Sequence, residues 1–125
     1  MHALVIDDQA MVRRAVARML RRLGFDVQEA GDGVAGLGAL TCRPDIELVM
    51  VDCRMPGISG IEVIAQIRRE PRYERTKVMM VTGLDDPAAG DLALVAGADG
   101  VLVKPFREAE LRAQLDHVGL ARRVA

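Results

Sequence analysis

Short apolar runs alternate along this chain with longer stretches in which apolar residues recur every three or four positions. Five runs read as strands: residues 3–6, the more polar 25–30, Leu48–Asp52, residues 77–81 reaching Thr82, and residues 101–103 reaching Lys104. Leu48-Val49-Met50-Val51 has no polar alternation, which marks a strand covered on both faces. It ends in Asp52, a costly place for a charge unless the protein uses it, and Pro56-Gly57 turns the chain soon after.

The intervening stretches read as helices. Residues 9–23 put Met11, Val12, Ala15, Val16, Met19, Leu20 and Leu23 on one stripe, with Gly24 placed for a left-handed stop. Residues 33–41 form a weaker helix, capped by Asp32 and diluted by Gly36 and Gly38; Arg43-Pro44-Asp45 then turns the chain. Ser59-Gly60-Ile61-Glu62 fits a capping box opening a helix to about Arg69, which Pro71 ends. Asp86 and Pro87 supply a cap and a first-turn proline for a helix running to Gly97. The last helix places Leu111, Leu115 and Val118 on its inner face. Strict alternation of five strands with five helices predicts an α/β chain whose parallel sheet is covered on both sides.

Composition narrows the class. A chain of 125 residues is one domain, 1–125, with its core expected over about residues 3–118 and a tail too short to be an output domain. Hydrophobic content of 50% with 28% charged residues excludes a disordered chain. Only Phe25, Tyr73 and Phe106 are aromatic, so the core must be aliphatic. No apolar run nears the roughly 18 residues of a membrane span, and Asp7-Asp8 comes too early for a signal peptide, so the expected location is cytoplasmic. A net charge of −1 gives no support to direct nucleic-acid binding. Cys42 and Cys53 lack metal or redox spacing and are expected as small core or near-core residues. Of the 17 basic residues only Lys77 and Lys104 are lysine, and Lys104 sits between Val103 and Pro105. Arg13, Arg14, Arg18, Arg21 and Arg22 line the outer face of the first helix without a balancing acid, as a solvated face or a docking surface.

Every strand but the polar one ends in a reactive group: Asp7 and Asp8, Asp52, Thr82, and Lys104. In an open α/β sheet all strand C-termini share one edge, where ligands bind. Several carboxylates in one cleft repel unless a cation holds them, and an oxygen-only set suits Mg²⁺, with Mn²⁺ a possible substitute. A lysine and a hydroxyl beside that set suit a phosphoryl group. The combination points to an aspartate that accepts phosphate.

Taken together, Ile6-Asp7-Asp8, Val51-Asp52-Cys53-Arg54-Met55-Pro56-Gly57, Val81-Thr82, and Ala96-Gly97-Ala98-Asp99-Gly100 through Lys104-Pro105-Phe106 resemble the response-regulator receiver domain of two-component signalling, in its single-domain chemotaxis-regulator form. The resemblance implies a doubly wound, flavodoxin-like (βα)5 fold with strand order 2-1-3-4-5. It implies that Asp52 takes a phosphoryl group from a phosphohistidine of a sensor histidine kinase or histidine phosphotransfer protein. Asp8, Asp52 and the Arg54 backbone carbonyl would hold Mg²⁺, with Asp7 acting mainly through water. Lys104 would pair with the acceptor and then with the phosphoryl oxygens, and Thr82 would swing in toward them, biasing the face built by the last two helices. The peptide before Pro105 would be cis. Such a protein is a signalling phosphoacceptor and not a metabolic enzyme, acting on a downstream effector as a monomer or a phosphorylation-dependent dimer.

Three departures stand out. Val101 occupies the position of the family's usual switch aromatic, which leaves a docking-only receiver as an alternative. Arg54 and Leu84 are bulky at positions that tune entry of the hydrolytic water, which implies slow self-dephosphorylation. The helix after Pro87 contains Gly90 and many alanines and is expected to be loosely held. Two other readings compete. Gly31-Asp32-Gly33-Val34-Ala35-Gly36 matches a dinucleotide fingerprint, but on an edge strand, where a loose turn explains it. An aspartyl-phosphate phosphatase would carry its nucleophile in a D-x-D motif, whereas this chain has Asp7-Asp8-Gln9.

Overall fold

The computed structural model describes residues 1–120; the end of the expected tail, 121–125, lies outside the described residues. Five strands alternate with five helices: β1 (His2–Ile6), α1 (Ala10–Arg22), β2 (Asp26–Ala30), α2 (Gly33–Cys42), β3 (Leu48–Asp52), α3 (Gly60–Arg69), β4 (Lys77–Gly83), α4 (Ala89–Ala96), β5 (Gly100–Lys104) and α5 (Glu108–His117). A single 3-10 turn, Pro71–Tyr73, follows α3. The strands form one sheet in the order β2-β1-β3-β4-β5, and every pairing is parallel.

Strand alternation divides the core between the two faces. Val49 and Val51 of β3 join Leu40, Val63, Ile64, Ile67, Ala89 and Ala93 beneath α2, α3 and α4. Leu48 and Met50 join Val16, Leu20, Leu111 and Leu115 beneath α1 and α5. All five residues of β3 are buried, as its unbroken apolar run requires. The resulting layers are the doubly wound arrangement.

Several local expectations change. Met11 is 84% exposed, whereas Ala17 is fully buried. At about 100° per residue Met11 lies opposite Leu20, and the true inward arc passes through Arg13, which the polar pattern had excluded. Cys42 is exposed at the end of α2, while Cys53 is buried. The glycines of residues 31–36 are not a loose turn. A Cβ on Gly36 would lie 2.3 Å from Ile6 Cδ1 and one on Gly33 2.5 Å from Ile58 Cγ1, so both glycines serve close packing of a regular helix. Asp32 caps that helix by accepting from Ala35 N at 2.8 Å, so the helix N-terminus is already satisfied from within. α4 begins at Ala89, two positions later than expected, with no side-chain cap. It is nonetheless seated by Ala89 and Ala93, leaving Leu92, Leu94 and Val95 exposed.

Candidate functional site

The strand ends meet because the parallel register stacks them. Ile6 pairs with Val51, Asp52 with Val81, and Thr82 with Val103. Beyond β3 the ladder continues by one bond, Cys53 N donating to Val81 O at 2.9 Å, and Gly60 N then donates to Cys53 O at 3.0 Å. α3 therefore starts directly against the end of β3. A Cβ on Gly60 would fall 2.3 Å from the Asp52 carbonyl oxygen, so only glycine permits that approach.

Asp7, Asp8 and Asp52 each bring a carboxylate oxygen to within 4.8 Å of the others, with Asp7 and Asp52 buried and Asp8 exposed. Lys104 Nζ lies 2.7 Å from Asp52 Oδ1 and 3.8 Å from Asp7 Oδ2. Burial holds the Asp7 carboxyl above the usual aspartate range, and the charges of Asp52 and Asp8 push the same way. The hydrogen bond from Gln9 N, at 2.9 Å, and the Lys104 charge pull it back. One lysine thus faces three carboxylates. A hard cation with oxygen ligands fits this donor set, which offers neither His nor Cys.

Thr82 Oγ1 is buried and makes no hydrogen bond; the neighbouring Cys53 thiol is too weak an acceptor to satisfy it. A buried hydroxyl without a partner is rare, and among the described residues Tyr73 Oη shares this state. The Lys104-Pro105 peptide is cis, as the resemblance implied. Val101 packs below Gly90 of α4, 3.6 Å from where a Cβ on that glycine would sit. The Arg54 side chain turns to the loop after β4, Nη1 donating to Asp85 Oδ2 at 3.0 Å and Nη2 lying 3.3 Å from Asp86 Oδ2.

Two arginines escaped sequence reasoning. Arg13 Nη1 donates to the Asp7 carbonyl at 2.9 Å while its Nε donates to Glu29 at 3.1 Å, tying β2 to the loop that carries the acids. Three of the five α1 arginines are therefore balanced: Glu29 also faces Arg21 at 3.9 Å, and Glu108 pairs with Arg22 at 2.7 Å. Among the described residues, Arg14 and Arg18 lack such partners. Arg68 donates to the Gly97, Tyr73 and Thr76 carbonyls and to Asp99, which also accepts from Val78 N. Asp99 belongs to the Ala96–Gly100 motif, but its partner two elements earlier carried no pattern.

The family model described as the response regulator receiver domain matches residues 3–116. The chain belongs to the receiver domain family. A receiver relative, the chemotaxis protein CheY homolog of Campylobacter jejuni, is 37% identical over 119 residues, covering 94% of this chain and 92% of the relative. CheY-3 of Vibrio cholerae is likewise 37% identical over 119 residues. Among solved receivers, Vibrio cholerae CheY4 superposes with a TM-score of 0.85 at 29% identity, over 94% of this chain and 97% of that one. The receiver fold accounts for the observed strand order. Among the described residues no helix is long and apolar enough to cross a membrane.

Proposed function

We propose that this receiver is a phosphoaspartate switch or phosphorelay shuttle in which Asp52 accepts the phosphoryl group. A carboxylate oxygen of Asp52 attacks phosphorus, the P–N bond of a phosphohistidine breaks, and its electron pair stays on the departing imidazole. The observation that carries this reading is the arrangement of Asp52 beside Asp7 and Asp8 with Lys104 Nζ at 2.7 Å. Asp8, Asp52 and the Arg54 carbonyl would hold Mg²⁺ and Asp7 would act through water, the ion supplying charge neutralisation at the phosphoryl oxygens. Lys104 passes from the carboxylate to those oxygens, and the unpartnered Thr82 hydroxyl donates to them. Movement of Thr82 pulls on the loop between β4 and α4 and changes the surface carrying Leu92, Val95 and Val103, where a downstream effector responds.

The phosphodonor is a sensor histidine kinase or histidine phosphotransfer protein, which the exposed Arg14 and Arg18 of α1 suit as a docking edge. The chain acts as a phosphoacceptor with Mg²⁺-dependent self-phosphorylation, not as a metabolic enzyme.

Intact mass after incubation with acetyl phosphate and Mg²⁺ tests the reading. One phosphoryl adduct is expected in the parent, dependent on Mg²⁺ and absent from Asp52→Ala. No adduct in the parent would leave the docking-only receiver in its place. Arg54 stands two residues beyond Asp52 and the exposed Leu84 two beyond Thr82, so the adduct is expected to decay slowly and Arg54→Ala or Leu84→Ala to hasten its loss. Fast decay that neither variant changes would refute that part.

A further inference from the structure

Asp86-Pro87 has the composition of a helix start, yet α4 does not use it. An N-cap residue needs extended backbone and a side-chain acceptor for the N–H groups two or three positions on. Here the position before α4 is Ala88, in helical conformation and with no side chain to cap. The chain from Asp86 makes only a turn, Ala89 N donating to Asp86 O at 3.2 Å. The Asp86 carboxylate instead faces the Arg54 guanidinium at 3.3 Å, and the Asp85 carboxylate accepts from the same group at 3.0 Å. Asp85 reaches it by folding back over Gly83, where a Cβ would meet Asp85 Oδ1 at 2.6 Å. Arg54 stands two residues after the acceptor, so one side chain ties the loop behind Asp52 to the loop behind Thr82.

We infer that Arg54 and Asp86 form an electrostatic latch that holds α4 short until the acceptor is phosphorylated. Asp86 has two competing partners, the Arg54 guanidinium and the N–H groups of Ala88 and Ala89. The ion pair is only partly covered, with the Arg54 side chain 65% and the Asp86 side chain 28% exposed, so it is weak and exchangeable. A phosphoryl group on Asp52 adds negative charge and strong acceptor oxygens two residues from Arg54, drawing the guanidinium away. The released Asp86 caps a longer helix, with Pro87 in the first-turn position it is built for.

The phosphorylated half of this inference rests on Asp52 being the acceptor; the unphosphorylated half does not. Amide hydrogen exchange of Ala88, Ala89 and Gly90, read by NMR, tests both. In the parent, the phosphoryl mimic beryllofluoride with Mg²⁺ is expected to slow exchange at these amides about fivefold, the usual contribution of one N-cap. Arg54→Ala is expected to show the slow rate with no mimic present. Asp86→Asn should do the same, since asparagine caps well but carries no charge for Arg54. Asp86→Ala should stay fast in every condition. Parent-like fast exchange in both Arg54→Ala and Asp86→Asn would overturn the latch. If the mimic shifts no signal near Asp52, the acceptor assignment fails, and the variants without mimic still decide whether the latch exists.

Discussion

Asp7 shows how far a single residue bends toward function. Its carboxyl titrates above the ordinary value of 3.8, chiefly because it is buried. A raised folded-state pKa means that the folded chain binds this proton more tightly than the unfolded one. Stability is therefore lost as pH rises from below 3.8 through the folded value, and the whole penalty is in force at neutral pH. Asp7→Asn is expected to raise the urea midpoint at pH 7, with the gain shrinking as pH falls below the ordinary aspartate range. A gain that persists unchanged in acid would show that packing, not charge, is responsible. The same carboxylates predict a metal effect. Mg²⁺ at about 100 times its Kd should stabilise the parent by roughly 2.7 kcal/mol, and Asp8→Ala or Asp52→Ala should remove most of that rise in thermal midpoint. These residues were legible because a charge at the end of an apolar run breaks the pattern. Arg13 was not, because its position on α1 reads as solvent until Glu29 and the Asp7 carbonyl are placed beside it.

At the scale of elements, close approach sets the site. α3 can start at the end of β3 only because residue 60 lacks a side chain. Gly60→Ala forces the Asp52 carbonyl or the helix to move, at an overpacking cost of about 1–3 kcal/mol. It is expected to lower the denaturation midpoint and to slow formation of the acetyl phosphate adduct, since the acceptor itself is displaced. A variant as stable and as quickly phosphorylated as the parent would show that the contact is slack. Element order and type were readable because β3 and α1 carried clear apolar patterns and the weaker helices were marked by their flanking caps, glycines and prolines. Boundaries failed where a tertiary partner outbid a local signal. Asp86 is a good cap in sequence, but Arg54 holds its carboxylate and α4 begins later. Gly33 and Gly36 read as looseness because nothing local reveals the Ile58 and Ile6 side chains packed against them.

Over the whole molecule, charge is arranged by region while the net charge stays at −1. Acids gather at the C-terminal edge of the sheet, and the uncommitted arginines Arg14 and Arg18 lie on α1. Reversing both to Glu is expected to slow phosphotransfer from a kinase partner at least about tenfold at low salt, the range of electrostatically steered association. The rate with acetyl phosphate should not change. Equal loss with both donors would place the defect in the site and not in docking. Topology also orders the making of the protein. β1 and β3 deliver Asp7, Asp8 and Asp52 before β5 delivers Lys104. In the folded sheet these three carboxylates lie together, and the lysine that pairs with Asp52 comes from a different strand. A copy lacking β5 would therefore keep the three acids of the site and lose the 2.7 Å lysine contact that opposes Asp52.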